Sequence, residues 1–88
     1  IKTAESYLDT MAFSKQGLLD QLEYEGFTSD EANYGISNIS VDWNEQAAKK
    51  AKEYLDAMSF SRQGLIDQLL YEGFTNSEAI YGATANGF

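Results

Sequence analysis

Hydrophobic residues recur with a helical period in two stretches of the chain that lie 47 positions apart. Apolar residues occupy positions i, i+3, i+4 and i+7 of each stretch: Ala4, Tyr7, Leu8 and Met11 in the first, and Ala51, Tyr54, Leu55 and Met58 in the second. This spacing places four side chains on one face of a helix and predicts that the face is buried. The helix of the second stretch is expected to start at a cap, Asp42 or Asn44, and to run to about Ser59.

These helices open two copies of a longer repeat. Residues 7–35 read YLDTMAFSKQGLLDQLEYEGFTSDEANYG, and residues 54–82 read YLDAMSFSRQGLIDQLLYEGFTNSEAIYG. The two segments are identical at 21 of their 29 positions, and an internal match of this kind indicates a structural repeat. The chain is therefore expected to form two units, residues 1–41 and residues 42–88.

A second helix is predicted in each unit from signals at its two ends. Ser14 and Ser61 are residues of the type that caps a helix start. Each helix should then stop at a glycine, Gly26 or Gly73, because glycine tolerates the left-handed conformation that follows many helices.

A third helix is predicted to start at a Thr-x-x-Glu capping box, formed by Thr28 and Glu31 in the first unit and by Thr75 and Glu78 in the second. With it, each unit has the outline of a helix-turn-helix. The predicted fold class is all-α, a tandem repeat of two three-helix, helix-turn-helix-like units.

The third helix has a buried stripe and an outward face. Small and apolar residues form the stripe in the first unit: Ala32, Gly35, Ile36 and Ile39. Tyr34 and its counterpart Tyr81 lie off this stripe and are expected to face outward. Six other aromatic residues are interpreted as core packing: Tyr7, Phe13, Phe27, Tyr54, Phe60 and Phe74.

Units of about 40 residues are near the lower limit for an independent hydrophobic core. The two units are therefore expected to pack against each other, with Ile39, Val41 and Trp43 at the joint. Two differences between the copies bear on this joint, since Glu23 becomes Leu70 and Asn33 becomes Ile80. The two aliphatic residues either meet the first unit, which we favour, or form a patch for a partner.

Composition and charge limit the classes of function. The chain has 6 Lys and Arg, 14 Asp and Glu, a net charge of −8, and no His or Cys. It therefore lacks the usual general base, a thiolate nucleophile and the preferred zinc ligands. The predicted third helices, residues 29–38 and 76–86, contain no Lys or Arg. Because a DNA-reading helix neutralises phosphates with such residues, no nucleic-acid binding is expected.

Carboxylates are the remaining candidates for catalysis, among them Asp20, Glu25, Asp67 and Glu72. An acid and base pair needs a cleft, which two small helical units offer poorly. No calcium-loop motif occurs, and no apolar run approaches the roughly 18 residues of a membrane span. We therefore expect a non-enzymatic protein with no cofactor and no metal.

Both units contain the motif Tyr-Leu-x-x-Met-x-Phe-Ser-[Lys/Arg]-Gln-Gly-Leu, followed by Asp-Gln-Leu, Tyr-Glu-Gly-Phe-Thr and Glu-Ala. Over residues 4–38 and 51–85 the chain resembles the repeat of the host cell surface-exposed lipoprotein family. That family includes superinfection-exclusion lipoproteins encoded by temperate phages of Gram-positive bacteria such as streptococci.

The resemblance implies a protein on the outer face of the cell membrane that stops DNA injection by a second phage. The implied target is the tape measure protein of that phage. The only membrane contact implied is an N-terminal lipid anchor, and this chain, starting at Ile1, is expected to be a soluble fragment and a monomer. A basic segment of the target is expected to meet nine residues: Asp20, Glu25, Asp30, Glu31, Tyr34, Asp67, Glu72, Glu78 and Tyr81.

Two other classes of function remain open from the residues alone. One is a protein-interaction repeat of the bacterial surface or envelope with no role in phage defence. The other is an acidic protein that mimics DNA, since it would share the negative charge.

Overall fold

The computed structural model describes residues 2–88, and that range contains six α-helices and no β-strand. The helices are α1 (Lys2–Thr10), α2 (Lys15–Tyr24), α3 (Ser29–Ser37), α4 (Trp43–Ala57), α5 (Arg62–Tyr71) and α6 (Asn76–Ala85). Three helices precede residues 38–42 and three follow them, so the predicted all-α tandem of three-helix units is confirmed. The long helix α4 ends shortly before its predicted end at Ser59.

The predicted caps are present at the helix starts. The hydroxyl groups of Ser14 and Ser61 each accept a hydrogen bond from the backbone amide three residues later. Thr28 and Thr75 form complete capping boxes with the glutamate three residues after each of them. Asp42 caps α4. These bonds satisfy amide groups that the first turn of a helix leaves unpaired.

The helices α2 and α5 end in the same turn. Gly26 and Gly73 have positive φ values of 105° and 100°, which a residue with a Cβ atom adopts only with strain. The amide that follows each glycine donates to a carbonyl five residues earlier, from Phe27 to Leu22 at 3.1 Å and from Phe74 to Leu69 at 3.2 Å. This arrangement is a Schellman motif, and it turns the chain sharply into the third helix of each unit.

Each unit has its own buried cluster. The first contains Ala4, Leu18, Leu22, Ala32 and Ile36, and the second contains Ala47, Ala51, Leu65, Ile66, Leu69, Phe74, Ala79 and Ala83. Trp43, from α4, packs against the first cluster, so its ring joins the two units as predicted. Val41 is half-buried and belongs to neither cluster. The molecule is elongated, 37 × 22 × 20 Å, as expected for two small cores in series.

Three predicted core residues are exposed. Met11 follows the last residue of α1, and Met58 is the C-cap of α4 in an extended conformation, so both leave the buried helical face. Phe27 is 39% exposed, whereas its counterpart Phe74 is 3% exposed. Phe74 lies in the cluster that includes Ala47 from the early turns of the 15-residue α4, whereas the described part of α1 has 9 residues. Within residues 2–88, less helix surface therefore covers Phe27 than covers Phe74.

Candidate functional site

Directed polar bonds cross the joint between the two units. The hydroxyl group of Ser14 donates to the backbone carbonyl of Glu72 at 2.6 Å, and the backbone amide of Phe13 donates to Oε1 of Gln46 at 3.0 Å. Ser14 and Gln46 are the two polar side chains among the buried residues of the described chain. Since buried polar groups are costly unless they are hydrogen-bonded, these two bonds define the relative orientation of the units.

The space at this joint is a shallow depression of about 130 Å³, lined by Ala12, Phe13, Ser14, Gly17, Lys50 and Glu72. Of the four candidate carboxylates, Glu72 lies here. Asp20 and Asp67 are exposed on α2 and α5, and Glu25 is exposed at the C-cap of α2. The depression therefore does not bring two of these carboxylates together. Residues 2–88 also contain no group of three side chains suited to holding a metal ion.

The four acidic residues predicted to bind a partner through the first unit are all exposed: Asp20, Glu25, Asp30 and Glu31. Three of them have internal partners. Asp20 accepts a hydrogen bond from Gln16 at 2.9 Å, Glu31 belongs to its capping box, and Glu25 accepts one from the hydroxyl of Tyr7. The bond to Glu25 raises the pKa of the Tyr7 hydroxyl above its ordinary value, because it stabilises the protonated phenol.

The three acidic residues predicted in the second unit differ in environment. Asp67 is exposed and accepts a hydrogen bond from Gln63 at 2.8 Å. Glu78 is half-buried and completes its capping box. Glu72 is half-buried at the joint, with an Oε1 atom 3.5 Å from Nζ of Lys50. Its carboxylate is therefore already engaged within the protein.

Exposed tyrosines accompany these acids. Tyr34 is 67% exposed and Tyr81 is 50% exposed, so the predicted outward orientation of both is confirmed. Tyr24 and Tyr71 are more exposed still, at 86% and 84%, although neither was among the residues predicted to face outward. Each tyrosine lies two residues after the last buried leucine of its helix, Leu22 or Leu69. This spacing turns its side chain away from the buried face, and it was the sequence signal for exposure.

The ion pairs of the described residues lie in the second unit. They are Lys49–Glu45 at 3.5 Å, Lys50–Glu53 at 3.6 Å, Lys50–Glu72 at 3.5 Å and Lys52–Asp56 at 3.0 Å. No ion pair in residues 2–88 involves an acid of the first unit. Residues 1–41 contain two basic and seven acidic residues, and residues 42–88 contain four and seven. The uncompensated negative charge is therefore concentrated in the first unit.

The favoured position of Leu70 and Ile80 at the joint was wrong. Leu70 is 38% exposed and Ile80 is 39% exposed, and neither belongs to a buried cluster. The joint is instead built from polar bonds and the ring of Trp43. The two aliphatic residues thus lie on the accessible surface of the second unit.

No helix within residues 2–88 combines the length and the apolar character needed to cross a membrane. A family model described as host cell surface-exposed lipoprotein matches residues 1–39 and 42–84. No curated protein sequence matches the chain at a significant level.

Among solved structures, the chain is similar to that of Ltp, a superinfection exclusion protein from the Streptococcus thermophilus temperate phage TP-J34. The TM-score is 0.87 and the sequence identity 35%, and the alignment covers 94% of this chain and 87% of that chain. The repeated motif, the tandem fold and both matches agree, and the chain belongs to the host cell surface-exposed lipoprotein family.

Proposed function

We propose that this chain is the binding module of a superinfection-exclusion lipoprotein. It stops DNA injection by an incoming phage by binding that phage's tape measure protein, and a lipid anchor holds the full-length protein on the outer face of the cell membrane. The 35% identity to Ltp over 94% of the chain supports this role. Binding alone is sufficient for such a function, so no catalytic group is required.

The uncompensated acidic surface of the first unit carries the proposal. Its Asp20 and Asp30 side chains are exposed, and the ion pairs of the described residues all lie elsewhere. A surface of one sign attracts a segment of the opposite sign and raises its association rate by roughly 10- to 1,000-fold. The preferred target is therefore a basic segment of the tape measure protein.

Tyrosine supplies the short-range part of the interaction in this proposal. A tyrosine side chain offers a large apolar area and a hydroxyl group while losing little conformational entropy on binding. Tyr34 and Tyr81 lie on the exposed faces of the third helices. Replacing both with alanine should mainly increase the dissociation rate, because contacts made after encounter determine residence time.

Association kinetics test the electrostatic part. Asp20→Asn with Asp30→Asn avoids Glu25 and Glu31, whose hydrogen bonds support the fold. Glu45→Gln with Asp56→Asn is the matched control, because it removes the same charge from a surface where Lys49 and Lys52 already balance it. With immobilised tape measure fragments as the probe, the first pair should slow association more than the control pair.

Two outcomes would contradict the proposal. One is an affinity that stays constant between about 50 mM and 500 mM salt, because screening weakens interactions between exposed charges over this range. The other is retention of host envelope material in a pull-down in which phage injection proteins are not retained. That result would favour an envelope-interaction repeat unrelated to phage defence.

A further inference from the structure

The second unit exposes two aliphatic side chains where the first unit has polar ones. Leu70 and Ile80 are 38% and 39% exposed, and they replace Glu23 and Asn33 in an otherwise closely matched repeat. Exposed aliphatic side chains indicate a contact site only when they form a contiguous patch, because single ones are normal on protein surfaces. A contact site here therefore requires that the fold bring Leu70 and Ile80 together.

In the first unit, hydrogen bonds connect the side chains at the two equivalent positions, 23 and 33. The hydroxyl of Ser29 donates to Glu23 at 3.2 Å, and the side-chain amide of Asn33 donates to the Ser29 carbonyl at 2.9 Å. Positions 23 and 33 thus converge on position 29. By the same register, Leu70 and Ile80 should flank Asn76 at the start of α6 and so share one face of α5 and α6.

The charges around this patch indicate what it accepts. The lysines of α4 are paired with acids of the same unit. Asp67, three residues before Leu70 on α5, is exposed and forms no ion pair in the described residues. Arg62, at the start of the same helix, is also exposed and forms no ion pair in the described residues, but the chain as a whole carries a net charge of −8. An occupant that combines aliphatic side chains with flanking Lys or Arg fits both features, and a basic amphipathic helix presents that combination on adjacent faces.

We propose that the Leu70–Ile80 patch is the apolar contact point for a basic amphipathic helix. The first unit attracts the helix by charge, and the second unit holds it by contact with its aliphatic side chains. The identification of this helix with part of a phage tape measure protein rests on the proposed function. The preference for a basic amphipathic helix does not.

The test variant makes both positions polar, as they are in the first unit. Leu70→Gln with Ile80→Asn introduces polar side chains at positions where the first unit folds with Glu23 and Asn33, and it leaves the net charge unchanged. Asn33→Gln is the control, because it alters an equivalent site of the first unit without changing the net charge or exposing an aliphatic group. Circular dichroism and the unfolding midpoint verify that all variants remain folded.

The first probe is a synthetic helix of Lys and Leu with one apolar face, compared with a Lys and Ser helix of equal charge. The parent should bind the Lys and Leu helix with shifts of the Leu70 and Ile80 methyl resonances. The Leu70→Gln, Ile80→Asn variant should release it about tenfold faster, a loss equivalent to about 1.4 kcal/mol. The control variant should behave as the parent does.

Two outcomes would overturn the patch assignment. One is equal release rates for the parent and the Leu70→Gln, Ile80→Asn variant. The other is a methyl shift that follows protein concentration alone, which would identify a second copy of the chain as the occupant.

Overlapping tape measure fragments are the second probe. Faster release of a bound fragment from the variant than from the parent supports the inference in full. If the synthetic helix binds at the patch and no fragment binds the parent, the tape measure assignment fails while the chemistry of the patch stands.

Discussion

The Ser14 hydroxyl group donates a hydrogen bond of 2.6 Å to the backbone carbonyl of Glu72, 58 residues along the chain. The same hydroxyl accepts the amide of Gly17 as the cap of α2. Ser14 therefore connects a local helix signal in one unit to the α5–α6 turn of the other. Its counterpart Ser61 has the same cap bond but is exposed.

This difference predicts unequal costs for two identical substitutions. Ser61→Ala should lower the free energy of unfolding by about 1 kcal/mol through the lost cap. Ser14→Ala should lower it by about 2 kcal/mol, because a hydrogen bond across the joint is lost as well. Urea unfolding of both variants measures the comparison. Equal costs would mean that the bond to Glu72 adds no stability.

A glycine pair at the two Schellman turns gives a second prediction. Gly26→Ala should lower the free energy of unfolding by about 1 kcal/mol, because a residue with a Cβ atom is strained at positive φ. No further clash is expected, since no atom lies within 4 Å of the added Cβ. At Gly73 the added Cβ would also lie 2.9 Å from Oγ of Ser14 and 3.0 Å from Cβ of Gln16. Gly73→Ala should therefore cost about 1 to 3 kcal/mol more.

Thermal and urea unfolding of the two glycine variants provide the measurement. A Gly26→Ala variant as unstable as Gly73→Ala would show that the units separate readily at this contact.

The capping boxes give a third prediction. Thr28→Ala and Thr75→Ala should each cost about 1 kcal/mol in urea unfolding, because each removes the acceptor for the backbone amide of the N3 glutamate. Thr28→Ser and Thr75→Ser are the controls, since a serine hydroxyl can accept the same bond. Unchanged unfolding midpoints in both alanine variants would show that these two hydroxyl groups do not stabilise the starts of α3 and α6.

Alkaline pH should weaken the fold through Tyr54. Burial, and next the nearby Glu72 carboxylate, raise the pKa of the Tyr54 hydroxyl above its ordinary value of 10.0. The folded protein therefore keeps this proton at pH values where the unfolded chain loses it. The stabilisation is fully present below about pH 10 and is lost as the pH rises through the folded-state pKa.

Urea unfolding between pH 8 and pH 11 tests this dependence. Tyr54→Phe should show a shallower alkaline decline than the parent. Tyr71→Phe, at a position that is 84% exposed, should decline as the parent does. If the free energy of unfolding of Tyr54→Phe declined with pH as steeply as that of the parent, Tyr54 would not be the source of the alkaline decline.

The elements that the sequence predicted correctly depend on neighbours along the chain. Ser14, Thr28 and Gly26 act on amides and carbonyls three to five residues away, so a short stretch of sequence contains the whole interaction. The prediction that Met11 and Met58 are buried was wrong, because the helical spacing of apolar residues does not show at which residue the helix ends.

The candidate surface was only partly predictable. Helical periodicity was sufficient to place Tyr34 and Tyr81 outward. It did not reveal that Glu72 is engaged by Lys50 at the joint. This pair joins α4 to the residue that follows α5, and it forms only on folding. The other three ion pairs join residues three or four apart on α4, a spacing that the sequence itself shows.

The repeat, the helices, their caps and the excess of negative charge could all be predicted from residue type and local spacing. The bond by which Ser14 spans the two units, the exposure of Phe27 beside the burial of Phe74, and the solvent-facing positions of Leu70 and Ile80 arise only when the chain folds. Equivalent residues in two copies of one unit have different neighbours, because each copy adjoins a different part of the chain.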